Sequence, residues 1–207
     1  MENISKTRKN SLRLDGYDYS LAGAYFLTMV CWGREEILGT VADGEMQCND
    51  FGMMAAGVWE EMPNHFPQVD LGDFVVMPNH VHGIIIIDDT VGARRDDMVG
   101  ARDDEMVGAR HASPQRMIQR ATQRAPMRVA KGAARGSLGA IVGAYKSAVA
   151  KRINEIRGTP GERVWQRNYF DHIIRDEKEW ERINDYIQAN PARWAEDEEN
   201  PTRIKKR

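Results

Sequence analysis

The stretch FVVMPNHVHGIIIIDD, residues 74–89, constrains the fold of this chain more than any other. Two apolar runs of strand length, Asp73–Met77 and His80–Ile87, meet at a Pro-Asn turn, so two successive strands are expected here, the second of them buried. That second run opens with His80 and His82. Alternate residues of a strand share a face, so both imidazoles project to one side, within about 7 Å of each other.

Two neutral imidazoles so placed can chelate one divalent cation. The alternative is a pair of partly exposed histidines that only hydrogen-bond. The familiar continuations of His-X-His do not follow. The next residues are Gly83, Ile84, Ile85 and Ile86, not the Asp-His of metallo-β-lactamase-type hydrolases. An amidohydrolase barrel needs more chain than 207 residues readily supply. Cupins are all-β, whereas three helices are expected here. What is left is a site needing at least one more ligand from another element.

The rest of the chain supplies the layers around these strands. GAYFLTMVCW, Gly23–Trp32, is β-rich, and Asp43-Gly44 marks a hairpin of short strands. A helix follows, capped by Asn49 or Asp50 and ended by Pro63, with Met54, Val58 and Met62 on one stripe. A second helix fills Gly136–Gly158, with Ser137 as cap and Gly158 and Pro160 as stop. Its stripe is Leu138, Ile141, Val142, Tyr145, Val149, Ile153 and Ile156. Arg163–Arg175 is expected as a strand and Asp176–Pro191 as a last helix, with acids in its first turns. The resulting β-α-β-β-α-β order is the ferredoxin-like split pattern, an α+β sandwich on an antiparallel central sheet. Its sheet would have one helix-covered face and one open face.

Between the two halves, VGARRDDM, VGARDDEM and VGARHASP repeat every eight residues from Val91 to Pro114. That period is too short for a solenoid and offers no apolar face. Residues 91–135 are therefore expected to be an inserted, disordered basic loop in one domain spanning 1–201, with 202–207 as a tail. Arg110 to Arg157 holds eleven Lys/Arg against one acid, although the whole chain has a net charge of −2. Such a block attracts phosphate backbones, and its alternative is a solvated loop without a partner. No apolar run is long enough for a membrane span, no secretory leader is visible, and two cysteines fit a reducing cytoplasm.

The last helix offers the missing groups. Tyr186 and Asn190 are four residues apart and share a helix face, while Ile183 and Ile187 can anchor the helix to the sheet. A tyrosine beside a metal can act as a covalent nucleophile, and a carboxamide oxygen can ligate a hard cation. Each residue also has an ordinary reading, as a packing tyrosine and a helix-end asparagine.

MPNHVHGIIII, GAYKSAVAKRINE, VWQRNYFDHIIRDEKE and RINDYIQANPARW, with LRLDGYDYSLAGAYFLT near the start, occur in order. Together they resemble the REP-associated tyrosine transposases, relatives of the single-tyrosine HUH transposases of bacterial insertion sequences. The resemblance covers residues 11–90 and 136–201. It implies His80 and His82 as metal ligands, Asn190 as the third, Mg2+ or Mn2+ as the cofactor, and Tyr186 as the catalytic nucleophile on the C-terminal helix. The implied activity cleaves and rejoins single-stranded DNA at hairpin sites through a 5′-phosphotyrosine. Candidate DNA contacts are Arg13, Lys146, Lys151, Arg152, Trp165, Gln166 and Arg167, with Tyr17 as a further stacking group. His172 and Asp171 are candidate bases. The resemblance also implies a bacterial, cytoplasmic, nucleoid-associated protein and leaves monomer and homodimer open. A non-cleaving hairpin binder and a metal-dependent hydrolase stand as alternatives.

Overall fold

A computed structural model describes residues 17–88 and 136–203. Arg13 and the repeat segment at 91–135 lie outside the described residues. The elements in order are β1 (Gly23–Val30), β2 (Gly39–Ala42), β3 (Glu45–Cys48), α1 (Asp50–His65), β4 (Val69–Met77), β5 (His80–Ile87), α2 (Leu138–Arg157), β6 (Phe170–Ile174) and α3 (Glu177–Ala189). Short 3-10 turns follow β1 at Trp32–Arg34 and α3 at Pro191–Glu196.

Four strands form one sheet in the order β4-β5-β1-β6, and β2 and β3 form a separate hairpin. Every neighbouring pair is antiparallel. With the hairpin set aside, this is the ferredoxin-like arrangement expected from the element order. β5 lies inside the sheet between β4 and β1, and all eight of its residues are buried. The register with β1 sets Thr28 opposite His82 and Val30 opposite His80.

Strand alternation splits the core in two. Tyr25, Leu27, Met29, Val81, Ile85 and Ile87 pack with α1 and α2. Ala24, Phe26, Ile84, Ile86 and Ile174 pack instead with Ile183 and Ile187 of α3. The second face is therefore not open, contrary to expectation. The apolar stripe of α3 needs burial, and the isoleucines beside His80 and His82 provide it.

Gly83 explains a further part of the opening motif. A Cβ there would stand 2.5 Å from the Trp59 ring and 2.9 Å from Phe74. Those two rings stack 4.4 Å apart across the strand. Gly83→Ala is expected to lower stability by about 1–3 kcal/mol, because both rings must shift to admit the methyl group. A denaturant melt that moves less than 0.5 kcal/mol, on the order of a surface substitution, would refute this.

Several boundaries differ from expectation. α1 runs past Pro63 to His65, capped by the Asn49 side chain through the N–H groups of Phe51 and Gly52. Proline forfeits one backbone bond, but the last turn is still closed by the Phe66 N–H on the Met62 carbonyl. β4 begins at Val69 rather than Asp73, with an irregularity between Leu71 and Phe74. Ser137 sits at the N-cap of α2 without a side-chain cap bond, and Ile156 is exposed rather than part of the stripe. β6 spans only 170–174, preceded by a single bridge from Cys31 to Trp165. The intervening carbonyls of Gln166, Arg167 and Asn168 accept from the Lys146 ammonium instead of joining the sheet.

Candidate functional site

β5 brings the two histidines to the face covered by α3, because they occupy the same alternation as Ile84 and Ile86. His80 is fully buried and His82 is 3% exposed. Their Nε2 atoms lie 3.0 Å apart. The other ring nitrogens are engaged, His80 Nδ1 with Asn79 Oδ1 at 2.8 Å and His82 Nδ1 with Thr28 Oγ1 at 2.8 Å. Phe26 stacks on the His82 ring at 5.4 Å and meets the Tyr186 ring edge-on at 5.9 Å.

α3 delivers Tyr186 to this point. Its hydroxyl is 3.3 Å from His82 Nε2, while the residue stays 37% exposed. Burial pushes the phenol up to about 12, and Asp197, Glu198 and Glu199 add to the rise. A hydrogen bond from Asn190 partly opposes it. Asn190 is 3% exposed at the C-cap of α3, and its Oδ1 is buried with no hydrogen-bond partner among the described residues. The four residues named from the sequence thus meet in one place.

The turn after α3 adds a residue that sequence reasoning missed. Asp197 Oδ2 lies 4.0 Å from His80 Nε2, and ligand atoms of His80, His82 and Asp197 all fall within 4.8 Å of one another. Asp197 belongs to the acidic run Glu196–Glu199, in which nothing marks one carboxylate over its neighbours.

These residues fit a divalent cation. Two donors at right angles on one ion with bonds of about 2.1 Å stand about 3.0 Å apart, the separation of the two Nε2 atoms. A carboxylate lies 4.0 Å from one of them, and Asn190, whose amide oxygen has no partner among the described residues, hydrogen-bonds the neighbouring Tyr186. Imidazole nitrogens suit transition ions, whereas carboxylate and carboxamide oxygens suit Mg2+ and Mn2+, so the donor set accommodates a divalent cation without selecting one.

No family model matches the chain. A protein of Haemophilus influenzae described as uncharacterised is 38% identical over 193 residues, 92% of each chain. The chain belongs to that protein's family. Two solved structures are similar in fold. One is the REP-associated tyrosine transposase bound to a REP hairpin, with a TM-score of 0.47 and 16% identity over 90% of this chain and 74% of that one. The other is a crystal structure of a candidate transposase from Deinococcus radiodurans R1, with a TM-score of 0.36 and 16% identity over 88% and 96%. The functional reading below is carried by the residues of the site.

The remaining candidates separate in this member of the family. Asp171 pairs with Leu27 and so lies on the sheet face opposite Tyr186, which removes it as a base. His172 is on the tyrosine's face, with its Nε2 held 2.7 Å from Glu179. Tyr17 stands edge-on to Tyr19 at 5.0 Å. Among the proposed DNA contacts, Lys151 and Arg167 are exposed. Arg152 grips Glu61 of α1 at 2.6 and 3.3 Å. Trp165 is 7% exposed and packs beside Tyr145, and the Gln166 N–H bonds the Val30 carbonyl.

Lys146 is turned inward. Its ammonium donates to the carbonyls of Gln166 at 2.5 Å and of Arg167 and Asn168 at 3.3 Å, and burial holds it down to about 8. Lys146→Met keeps the apolar stem and removes these bonds. It is expected to cost about 1–3 kcal/mol in a denaturant melt at neutral pH and to leave DNA affinity within about threefold. An unchanged melt with a large loss of DNA affinity would instead make Lys146 a direct contact.

Proposed function

We propose that this chain is a transposase-like DNA strand transferase that cuts and rejoins single-stranded DNA at hairpin sites, with Tyr186 as nucleophile. The observation that carries the reading is the Tyr186 hydroxyl 3.3 Å from His82 Nε2, beside a second imidazole nitrogen 3.0 Å further on. A packing tyrosine has no need of that position.

His80, His82 and Asp197 would hold the cation, with Asn190 beside them. When bound, the cation would supply Lewis-acid polarisation of the scissile phosphate and would offset the acidic charge around the phenol. Phe26 meets the tyrosine ring edge-on and supports the position from which the hydroxyl reaches the site. Tyr186 Oη bonds to phosphorus as the P–O3′ bond breaks; the phenol gives up its proton and the departing 3′ oxygen gains one. The downstream strand is then joined to the protein by its 5′ end, and attack by a 3′-OH reverses the step. Because one phosphodiester replaces another, no nucleotide triphosphate is consumed. The exposed Lys151 and Arg167 would meet backbone phosphates from solvent.

The test is a denaturing gel of the protein incubated with Mn2+ and a single-stranded hairpin labelled at either end. The expected result is a protein-bound band carrying only the 3′-end label, with the 5′-labelled fragment released. Hairpin binding without any adduct would overturn the reading in favour of a non-cleaving binder. Two released fragments without adduct would favour a metal-dependent hydrolase.

A further inference from the structure

We propose that Asn79, at the turn before β5, is a positioning residue for the cation site. It decides which nitrogen of His80 faces inward and ties the acidic segment 197–199 to the same point. The metal readout of this proposal rests on the cation reading above, whereas its proton readout does not.

Asn79 is fully buried. Its Nδ2 lies 2.8 Å from the Glu199 carbonyl and 3.0 Å from the Arg34 carbonyl. Carbonyl oxygens can only accept, so both contacts require the NH2 group on that side of the amide. Oδ1 is therefore the atom 2.8 Å from His80 Nδ1. A carboxamide oxygen also only accepts, so the His80 proton sits on Nδ1 and its Nε2 is turned to His82 and Asp197. Partners of this kind fix the tautomer and orientation of ligating histidines.

The same amide organises the acidic side. The Glu199 carbonyl takes the Asn79 amide, and the Glu199 N–H donates to Asp197 Oδ1 at 2.6 Å. Asp197 Oδ2 is the oxygen that approaches His80. Arg34 closes the arrangement. It holds φ at +58°, a conformation that disfavours residues with side chains. Its carbonyl reaches Asn79, and its Nε donates to Glu199 Oε2 at 2.7 Å. Strain at such a residue persists only where its surroundings over-determine it. Asn79 thus sets one imidazole and one carboxylate of the same site.

Long-range 1H–15N correlation on the metal-free, histidine-labelled chain reads the tautomer directly, with His80 assigned from a His80→Gln variant. The wild type should show His80 protonated at Nδ1. Asn79→Leu should lose that preference and bind Mn2+, followed by the paramagnetic signal of the free ion, about 10–100-fold more weakly. Asn79→Asp retains an acceptor for His80 and should keep the Nδ1 proton. A wild-type His80 protonated only at Nε2 would overturn the proposal. So would an unaltered tautomer and Mn2+ affinity in Asn79→Leu. If the leucine variant does not fold, loss of the Nδ1 proton in Asn79→Asp overturns it. A wild type with the Nδ1 proton that binds no Mn2+ would sink the cation reading and leave the placement of the His80 proton standing.

Discussion

Tyr186→Phe should abolish the covalent DNA adduct and reduce strand transfer by roughly 10^4-fold or more, the scale of effect when a nucleophile is removed. Only one oxygen is lost. The ring keeps its edge-on contact with Phe26 and its place beside His82. The hydroxyl contributes the 3.3 Å contact with His82 and the hydrogen bond from Asn190, on a residue that is 37% exposed, so stability should change by no more than about 2 kcal/mol. Hairpin affinity should stay within a few-fold. The denaturing gel and a thermal melt together check this. An adduct of undiminished yield would place the nucleophile elsewhere, and a collapsed melt would make Tyr186 a structural residue.

His82→Ala should remove the response of the protein to Mn2+. If the wild type binds the ion, Mn2+ at a hundred times its dissociation constant stabilises the folded state by about 2.7 kcal/mol. For a chain of this size that corresponds to a rise in Tm of roughly 5–10 °C. The variant takes away one of the two nitrogens that converge at 3.0 Å and leaves one imidazole with a carboxylate 4.0 Å away. Its Tm should be nearly indifferent to Mn2+, and adduct formation should fall with it. The apo-protein baseline separates this loss from damage to packing against Phe26. A full Mn2+ shift in His82→Ala would show that the ion binds elsewhere.

Much of the site was legible because its parts obey local periodicity. A strand places residues 80 and 82 on one face whatever surrounds it, and a helix places residues 186 and 190 on one face. The apolar stripe of α3 was equally visible. So was its anchoring to the sheet through Ile183 and Ile187, but not that it covers the face expected to be open. Asp197 stayed hidden because it lies beyond the helix, just past the end of a 3-10 turn, where no period links it to Tyr186. Thr28 and Asn79 were illegible for a similar reason. Thr28 meets His82 only through the β1–β5 register, and Asn79 reads as a turn residue until Glu199 and Arg34 arrive. Lys146 looked like a surface cation, but its side chain folds onto three carbonyls from a segment twenty residues away.

By itself, then, the sequence determined the elements, their order, and the residue pairs that share a face, since hydrophobic spacing and turn chemistry act within a few residues. The tertiary structure alone decided that the tyrosine's helix crosses the histidine face. It also decided that a carboxylate 115 residues after His82 closes the site. The physical reason is that contacts between distant segments depend on how buried faces of several elements match. A repeat of two or of 3.6 residues carries no record of that match.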